Sequence, residues 1–328
     1  LISEKYLNRE GGNMITGLDI GYGYTKMAVF YGTRLYDEHI FPSRVSRYIP
    51  KKSFNESFEI VYVNGRPYIV GSDIEGSSRL GIDFVGTEEY FAVIGYSLSK
   101  VDILKRILIL GLPPQAYEDE KVTSLKEAIR KIDIKREDGS RVYIPQWIEF
   151  VPQGAGIFFA YLTDNGIPDT TKTFVVVDIG YHTMDVVLFT DGKFRAHMSR
   201  SYPLGVKALY DMVRDSYIKQ YSMFISPDRD EFVEKLLKDG SVSHMGERHT
   251  VDVENILNDF YTGRIIKAIG NYISDAEEYG YAVDEIILGG GGISYMGNIS
   301  GARIVNNPQM ANARGFMEYG KKFLDSSL

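Results

Sequence analysis

Apolar positions along the chain recur with two periods, and the switches between them mark out the elements. Residues 14–17 and 26–30 read as two strands joined by a glycine-containing turn. Residues 61–70 read as a hairpin, because Asn64-Gly65 suits the positive φ angles of a two-residue turn. Residues 90–105 carry apolar positions at helical spacing. Residues 107–112 are an unbroken apolar run stopped by Pro113-Pro114, the pattern of a strand buried on both faces. Residues 126–132 alternate in charge and read as either helix or strand. Strands are expected over 141–144 and 147–151, then a helix over 154–162 that Asn165-Gly166-Ile167-Pro168-Asp169 breaks. The second half repeats the plan. A buried strand over 173–177 has its hairpin partner at 185–189. Helical spacing follows over 205–221, over 228–237 with Gly240 as its stop, and over 251–278. A short strand over 286–288 and a helix over 315–323 complete the chain. Hairpins followed by helices, twice over, predict an α/β chain with mixed sheets.

The repetition extends to individual residues. Asp19-Ile20-Gly21-Tyr22-Gly23-Tyr24-Thr25-Lys26-Met27-Ala28-Val29-Phe30 aligns without a gap on Asp178-Ile179-Gly180-Tyr181-His182-Thr183-Met184-Asp185-Val186-Val187-Leu188-Phe189, with five identities. A third glycine cluster, Gly289-Gly290-Gly291-Gly292, follows another apolar run. Each first Asp is expected at a strand end, facing a cleft. Gly21, Tyr22, Gly23, Tyr24 and Thr25 on one side, and Gly180, Tyr181, His182 and Thr183 on the other, can point backbone N–H groups at a phosphate. Two carboxylates, Asp19 and Asp178, suit a Mg²⁺ held directly or through water. Lys26 can meet phosphate as a point charge. Its counterpart is Asp185, so one side suits phosphate and the other metal or water. The four glycines suit the floor under a sugar and its α-phosphate. His182 can be read as a metal ligand or, with no second His at ligand spacing, as a turn residue. The chain lacks GxxxxGK[ST], which excludes a P-loop, and lacks a GxGxxG between strand and helix.

Composition narrows the classes further. With no cysteine, disulfides, thiol catalysis and cysteine-ligated zinc are excluded, and a cytoplasmic location is expected. The formal charge of -7 argues against direct nucleic-acid binding over the whole surface. No apolar run reaches the roughly 18 residues of a membrane span, so no membrane partner is expected. Residues 1–13 read in two ways: a short N-terminal arm, or a translated ribosome-binding site ahead of a native start at Met14.

These motifs resemble those of the actin/hexokinase/heat-shock chaperone ATPase superfamily, and within it the prokaryotic actin-like proteins of the ParM and archaeal type. Residues 19–26 resemble the first phosphate motif of that family and residues 178–185 the second. Val151-Pro152-Gln153-Gly154-Ala155-Gly156 resembles the first connecting helix, residues 288–293 the adenosine motif, and residues 312–320 the second connecting segment. Phe41-Pro42-Ser43 is also typical of ParM-like chains. The resemblance implies an actin-like, ribonuclease H-like α/β fold, with two similar halves of mixed sheet around a central nucleotide cleft. It implies one domain over 14–164 completed by 312–328, and a second over 165–311. It implies ATP or ADP with Mg²⁺ as ligands, and an ATPase coupled to polymerisation. Gln153 would orient the attacking water, Asp178 and Asp19 would hold the hydrated Mg²⁺, and Lys26 would bridge phosphates. The helix around 231–237 would lie at the adenine. The implied partners are further copies of the chain in a filament and a DNA-binding adaptor for plasmid segregation.

Other members of the superfamily stay open as alternatives. A small-molecule kinase needs a base for its acceptor hydroxyl, which Gln153 cannot supply. A chaperone-like or reactivating ATPase, or a membrane scaffold, would ordinarily carry an added domain or amphipathic anchor that this sequence does not display.

Overall fold

A computed structural model describes residues 14–31, 34–47, 58–71, 77–81, 83–101, 106–145, 147–166, 171–226, 229–296 and 299–324. Residues 1–13, where the two readings of the N-terminus apply, lie outside the described residues. The chain divides into two units, Leu1–Pro168 with Val305–Leu328, and Asp169–Ile304.

The first unit opens on β1 (Met14–Ile20), β2 (Tyr24–Tyr31) and β3 (Arg34–Pro42). All seven positions of β1 are buried. Its apolar run therefore reflects cover on both faces. Next come β4 (Arg44–Ser46), β5 (Ile60–Val63), β6 (Arg66–Val70) and β7 (Ser78–Arg79). The β5–β6 turn is Asn64-Gly65, with φ of 51° and 78°. Helix α1 (Glu88–Ser99) begins at Thr87, whose hydroxyl accepts from the Tyr90 N–H, with Glu88 and Glu89 in the first turn. It stops at Ser99, not at residue 105. The Lys100 N–H turns back to Ser97 and Leu98 carbonyls, and residues 102–105 lie outside the described residues. Strand β8 (Arg106–Leu112), helix α2 (Asp119–Arg130), β9 (Ile134–Arg136), β10 (Arg141–Val142), β11 (Trp147–Pro152) and helix α3 (Ala155–Asn165) follow. The charge-alternating stretch is helical, because Val122, Leu125 and Ile129 give it one buried stripe. The strand expected over 141–144 shrinks to two residues.

The second unit opens on β12 (Thr173–Ile179) and β13 (Met184–Thr190), both fully buried. Then come β14 (Lys193–Phe194), β15 (Arg200–Tyr202), α4 (Val206–Tyr221) and α5 (Asp230–Asp239), which Gly240 closes in the left-handed region. A hairpin, β16 (Ser241–His244) with β17 (Glu247–Thr250), precedes a long helical stretch. That stretch has three parts: α6 (Val253–Asn258), a π-helical segment (Asp259–Ile266) and α7 (Lys267–Glu278). Strands β18 (Glu285–Gly289) and β19 (Ala302–Ile304) finish the unit. The chain then re-enters the first unit as α8 (Ala311–Gly320).

One sheet plan serves both units. The first runs β3-β2-β1-β8-β11 and the second β14-β13-β12-β18-β19, with β15 also on β13. In each, the leading strand is antiparallel to its hairpin partner and parallel to the next strand on its other side. Helix α8 covers one face of the first sheet, where Phe316 and Met317 pack with Ile15, Phe30, Ile109 and Val151. Burying a ring the size of Phe316 stabilises by about 2–3 kcal/mol. Helices α3 and α8 cross so closely that a Cβ on Gly315 would lie 1.7 Å from the Gly156 carbonyl oxygen. This is an α/β architecture of two similar mixed-sheet halves, as the sequence pattern predicts.

Candidate functional site

The register of the first hairpin puts Asp19 opposite Lys26, and the ammonium lies 3.0 Å from Asp19 Oδ2. The other carboxylate oxygen is also taken. Gln153 Nε2 donates to Asp19 Oδ1 at 2.8 Å, across 134 positions of sequence. Gln153 stands just past β11, where its backbone N–H donates to the Leu112 carbonyl at 2.7 Å. A carboxylate only accepts, so the Gln153 amide turns its nitrogen to Asp19 and its oxygen the other way. Asp19 is 2% exposed and Gln153 8%. In the turn itself, the Gly21 N–H donates to the Tyr24 carbonyl at 3.2 Å, and the Gly23 carbonyl accepts from the Ser43 N–H at 2.9 Å. The Thr25 and Ser43 hydroxyls are 2.8 Å apart. Tyr22 sits edge-on to Phe84.

The second hairpin repeats the backbone and changes the charge. The Gly180 N–H donates to the Thr183 carbonyl at 2.8 Å, the counterpart of the Gly21 bond. Asp178 pairs with Asp185 across β13, and with Gly289 across β18. The Thr183 hydroxyl donates to Asp185 Oδ2 at 3.0 Å. Asp185 Oδ1 is buried and meets no donor among the described residues. Burial raises the Asp185 pKa above the ordinary carboxylate range, and the Ser201 and Thr183 hydroxyls only partly offset this. Gly290 has φ of 91°, and a Cβ there would lie 2.3 Å from Asp178 Oδ1. That position tolerates only glycine, because both the conformation and the carboxylate exclude a side chain. Gly291 and Gly292 begin the 3₁₀ turn Gly291–Tyr295, packed against Ile179 of β12. The start of α4 grips this turn. The Val206 and Lys207 N–H groups donate to the Gly180 and Tyr181 carbonyls at 3.0 and 2.8 Å. These are N–H groups that a helix start leaves without intrahelical partners. His182 is half-buried beside the Tyr181 ring.

Each unit thus assembles its own half of the expected residues. Asp19, Lys26 and Gln153 meet in the first; Asp178, Asp185 and Gly289 lie on three neighbouring strands in the second, with Gly290 just past the end of β18. Among the described residues no group of three or more His, Asp or Glu is arranged to chelate a metal. Asp178 with Asp185 still suits a hydrated hard cation, since both are oxygen donors and one buried oxygen lacks a partner. Asp19, with both oxygens engaged, suits only an outer-shell role through water. Sequence reasoning named Ser43 and Asn312 only as members of family-like segments, and missed Asp230 and Arg214 altogether. Ser43 fixes the first turn. Asn312 Oδ1 accepts from the Gly154 N–H at 3.0 Å, beside Gln153. Asp230 and Arg214 form a buried ion pair against Tyr181. Charged residues on amphipathic helices ordinarily read as a solvated face, so the last two carry no signal in the sequence.

A family model for the N-terminal domain of actin-like proteins matches residues 17–156, and one for the C-terminal domain of MreB-like archaeal actin homologues matches residues 176–299. The chain belongs to the actin-like proteins. Both aspartate–glycine turns of this actin-like chain, Gln153 and the four glycines lie inside the matched segments. The fold agrees. The archaeal actin homologue Ta0583 aligns with a TM-score of 0.76 at 22% identity, over 94% of this chain and 99% of that one. ParM from a 15-stranded filament of Clostridium botulinum aligns with 0.71 at 20%, over 95% and 100%. ParM of Bacillus thuringiensis with ATP aligns with 0.63 at 16%, over 97% and 100%. A search of curated proteins finds no match. Among the described residues no helix is long and apolar enough to cross a membrane.

Proposed function

We propose that this actin-like chain binds Mg-ATP through its two aspartate–glycine turns, hydrolyses it, and polymerises in the ATP-bound state, with hydrolysis destabilising the polymer. The observation that carries the reading is the clamp on Asp19 by Lys26 and Gln153. Two side chains, one from the same hairpin and one 134 positions away, converge on one buried carboxylate beside a turn that the second unit repeats. The bound forms of the fold's relatives support the ligand: Ta0583 is known in complex with ADP, and a Bacillus thuringiensis ParM with ATP.

The geometry supports a set of roles. Tyr22–Tyr24 and Tyr181–Thr183 offer backbone N–H groups to phosphate oxygens, while the Gly21 and Gly180 N–H groups close the turns. Lys26 supplies a positive charge that the phosphates can share with Asp19. Gln153, with its nitrogen fixed by Asp19, presents its amide oxygen to a water and so orients it. An amide cannot take a proton from an alcohol, which favours transfer to water over transfer to a sugar. Asp178 and Asp185 would hold a hydrated Mg²⁺, which would neutralise charge on the phosphates. Catalysis then rests on positioning and charge stabilisation. A filament subunit of this kind, working in the cytoplasm, would move DNA such as a plasmid through an adaptor protein. Light scattering recorded with phosphate release tests the reading. Scattering that requires Mg-ATP and decays as phosphate accumulates is expected. Phosphate release with no scattering at high protein concentration removes the filament, and silence in both channels removes the ATPase.

A further inference from the structure

Tyrosine holds the same place in both turns, yet the two are anchored differently. Tyr22 packs against Phe84. Tyr181 reaches out of its turn to donate its hydroxyl to Asp230, the first residue of α5. The other oxygen of Asp230 accepts from Arg214 on α4, and the pair is buried, 3% and 5% exposed. Arg214 also donates to Asp211 Oδ1 at 3.0 Å, and the Lys207 ammonium donates to Asp211 Oδ2 at 2.6 Å. Lys207 is the residue whose backbone N–H holds the Tyr181 carbonyl. The circuit therefore closes on itself: Tyr181 is gripped at its carbonyl by the start of α4 and at its hydroxyl by the start of α5.

A buried ion pair is a weak source of stability, because desolvation cancels most of its attraction. This one sits where it fixes a backbone. We propose that Tyr181 is a positioning residue, whose hydroxyl, held by Asp230 and Arg214, keeps the Tyr181–Thr183 N–H groups aimed at phosphate without touching the nucleotide. The inference rests on the nucleotide reading above. It makes α5 and the turn one mechanical piece, so what tightens one tightens the other.

The test compares Tyr181→Phe with Tyr217→Phe in the full chain. Tyr217, also on α4, makes a buried hydroxyl bond to His249 away from the turn. Two quantities are measured: Mg-ATP affinity by calorimetry, and hydrogen exchange of the Val206 and Lys207 amides in nucleotide-free protein. Tyr181→Phe is expected to raise Kd about tenfold and to speed those amides by a similar factor, as loss of a hydrogen bond to a charged group should. Tyr217→Phe is expected to lower Tm alone. Unchanged Kd in Tyr181→Phe, or an equal rise in Tyr217→Phe, overturns the inference while leaving the nucleotide reading in place. Wild-type protein that does not bind Mg-ATP overturns both.

Discussion

At the turn between β1 and β2 a buried carboxylate faces a lysine; at the turn between β12 and β13 its counterpart faces a second carboxylate. The backbones match down to the hydrogen bond that closes each turn. The residues facing the leading aspartates do not. In the first, Asp19 is satisfied by Lys26 and Gln153 before any ligand arrives. In the second, two carboxyl groups share a register position and Asp185 keeps a buried oxygen that meets no donor among the described residues. A duplicated scaffold has kept its backbone geometry while the side chain facing its leading aspartate has changed from a lysine to a second aspartate.

The comparison can be broken most decisively by deleting each leading carboxylate. Asp19→Ala and Asp178→Ala are both expected to cut phosphate release about 100-fold or more. Asp19→Ala should also cost about 1–3 kcal/mol of stability, by leaving the half-buried Lys26 and the buried Gln153 without their acceptor. An unchanged Tm in Asp19→Ala would sink that clamp. Next in size is Gln153→Ala. Phosphate release should fall about tenfold or more with Mg-ATP affinity nearly unchanged, since its part lies with the water. A matching loss of affinity would move Gln153 into nucleotide binding. Lys26→Gln should weaken Mg-ATP binding about tenfold while leaving the fold intact.

The smallest effect concerns pH. Asp185 has its pKa raised by burial, so the folded state takes up that proton more readily than the unfolded state. Nucleotide-free protein therefore loses stability as pH rises from the ordinary carboxylate value through the raised one, by about 1.4 kcal/mol for each tenfold gain in proton affinity on folding. Asp185→Asn lacks that slope. It should melt higher than wild type at neutral pH, with the difference closing as pH falls below the ordinary carboxylate range. A constant difference across pH would show that Asp185 is neutral already or satisfied by a further partner.

Much of the scaffold was legible because its signals are local. Apolar runs marked β1, β8 and β12, and Asn64-Gly65 marked a hairpin through the φ angles it permits. Asp19 and Asp178 stood out because the chain says the same thing twice. What escaped was either polar by design or assembled from afar. Strand β3 carries Asp37, Glu38 and His39 on a sheet edge, where charge discourages further pairing and hides the strand pattern. The β16–β17 hairpin turns on Met245, a residue rarely found at positive φ. The Arg214–Asp230 pair comes from two helices whose meeting no spacing foretells.

The crossing of α3 and α8 also sets an order of events on the ribosome. The core over one face of the first sheet takes Ile15 and Phe30 from early in the chain, and Phe316 and Met317 from near its end. The second unit is one uninterrupted stretch, Asp169–Ile304. During synthesis it can close as soon as it emerges, while the first unit, begun earlier, stays open until its last helix arrives. The half made first is thus finished last, and nascent chains expose the bare face of that first sheet for the longest time.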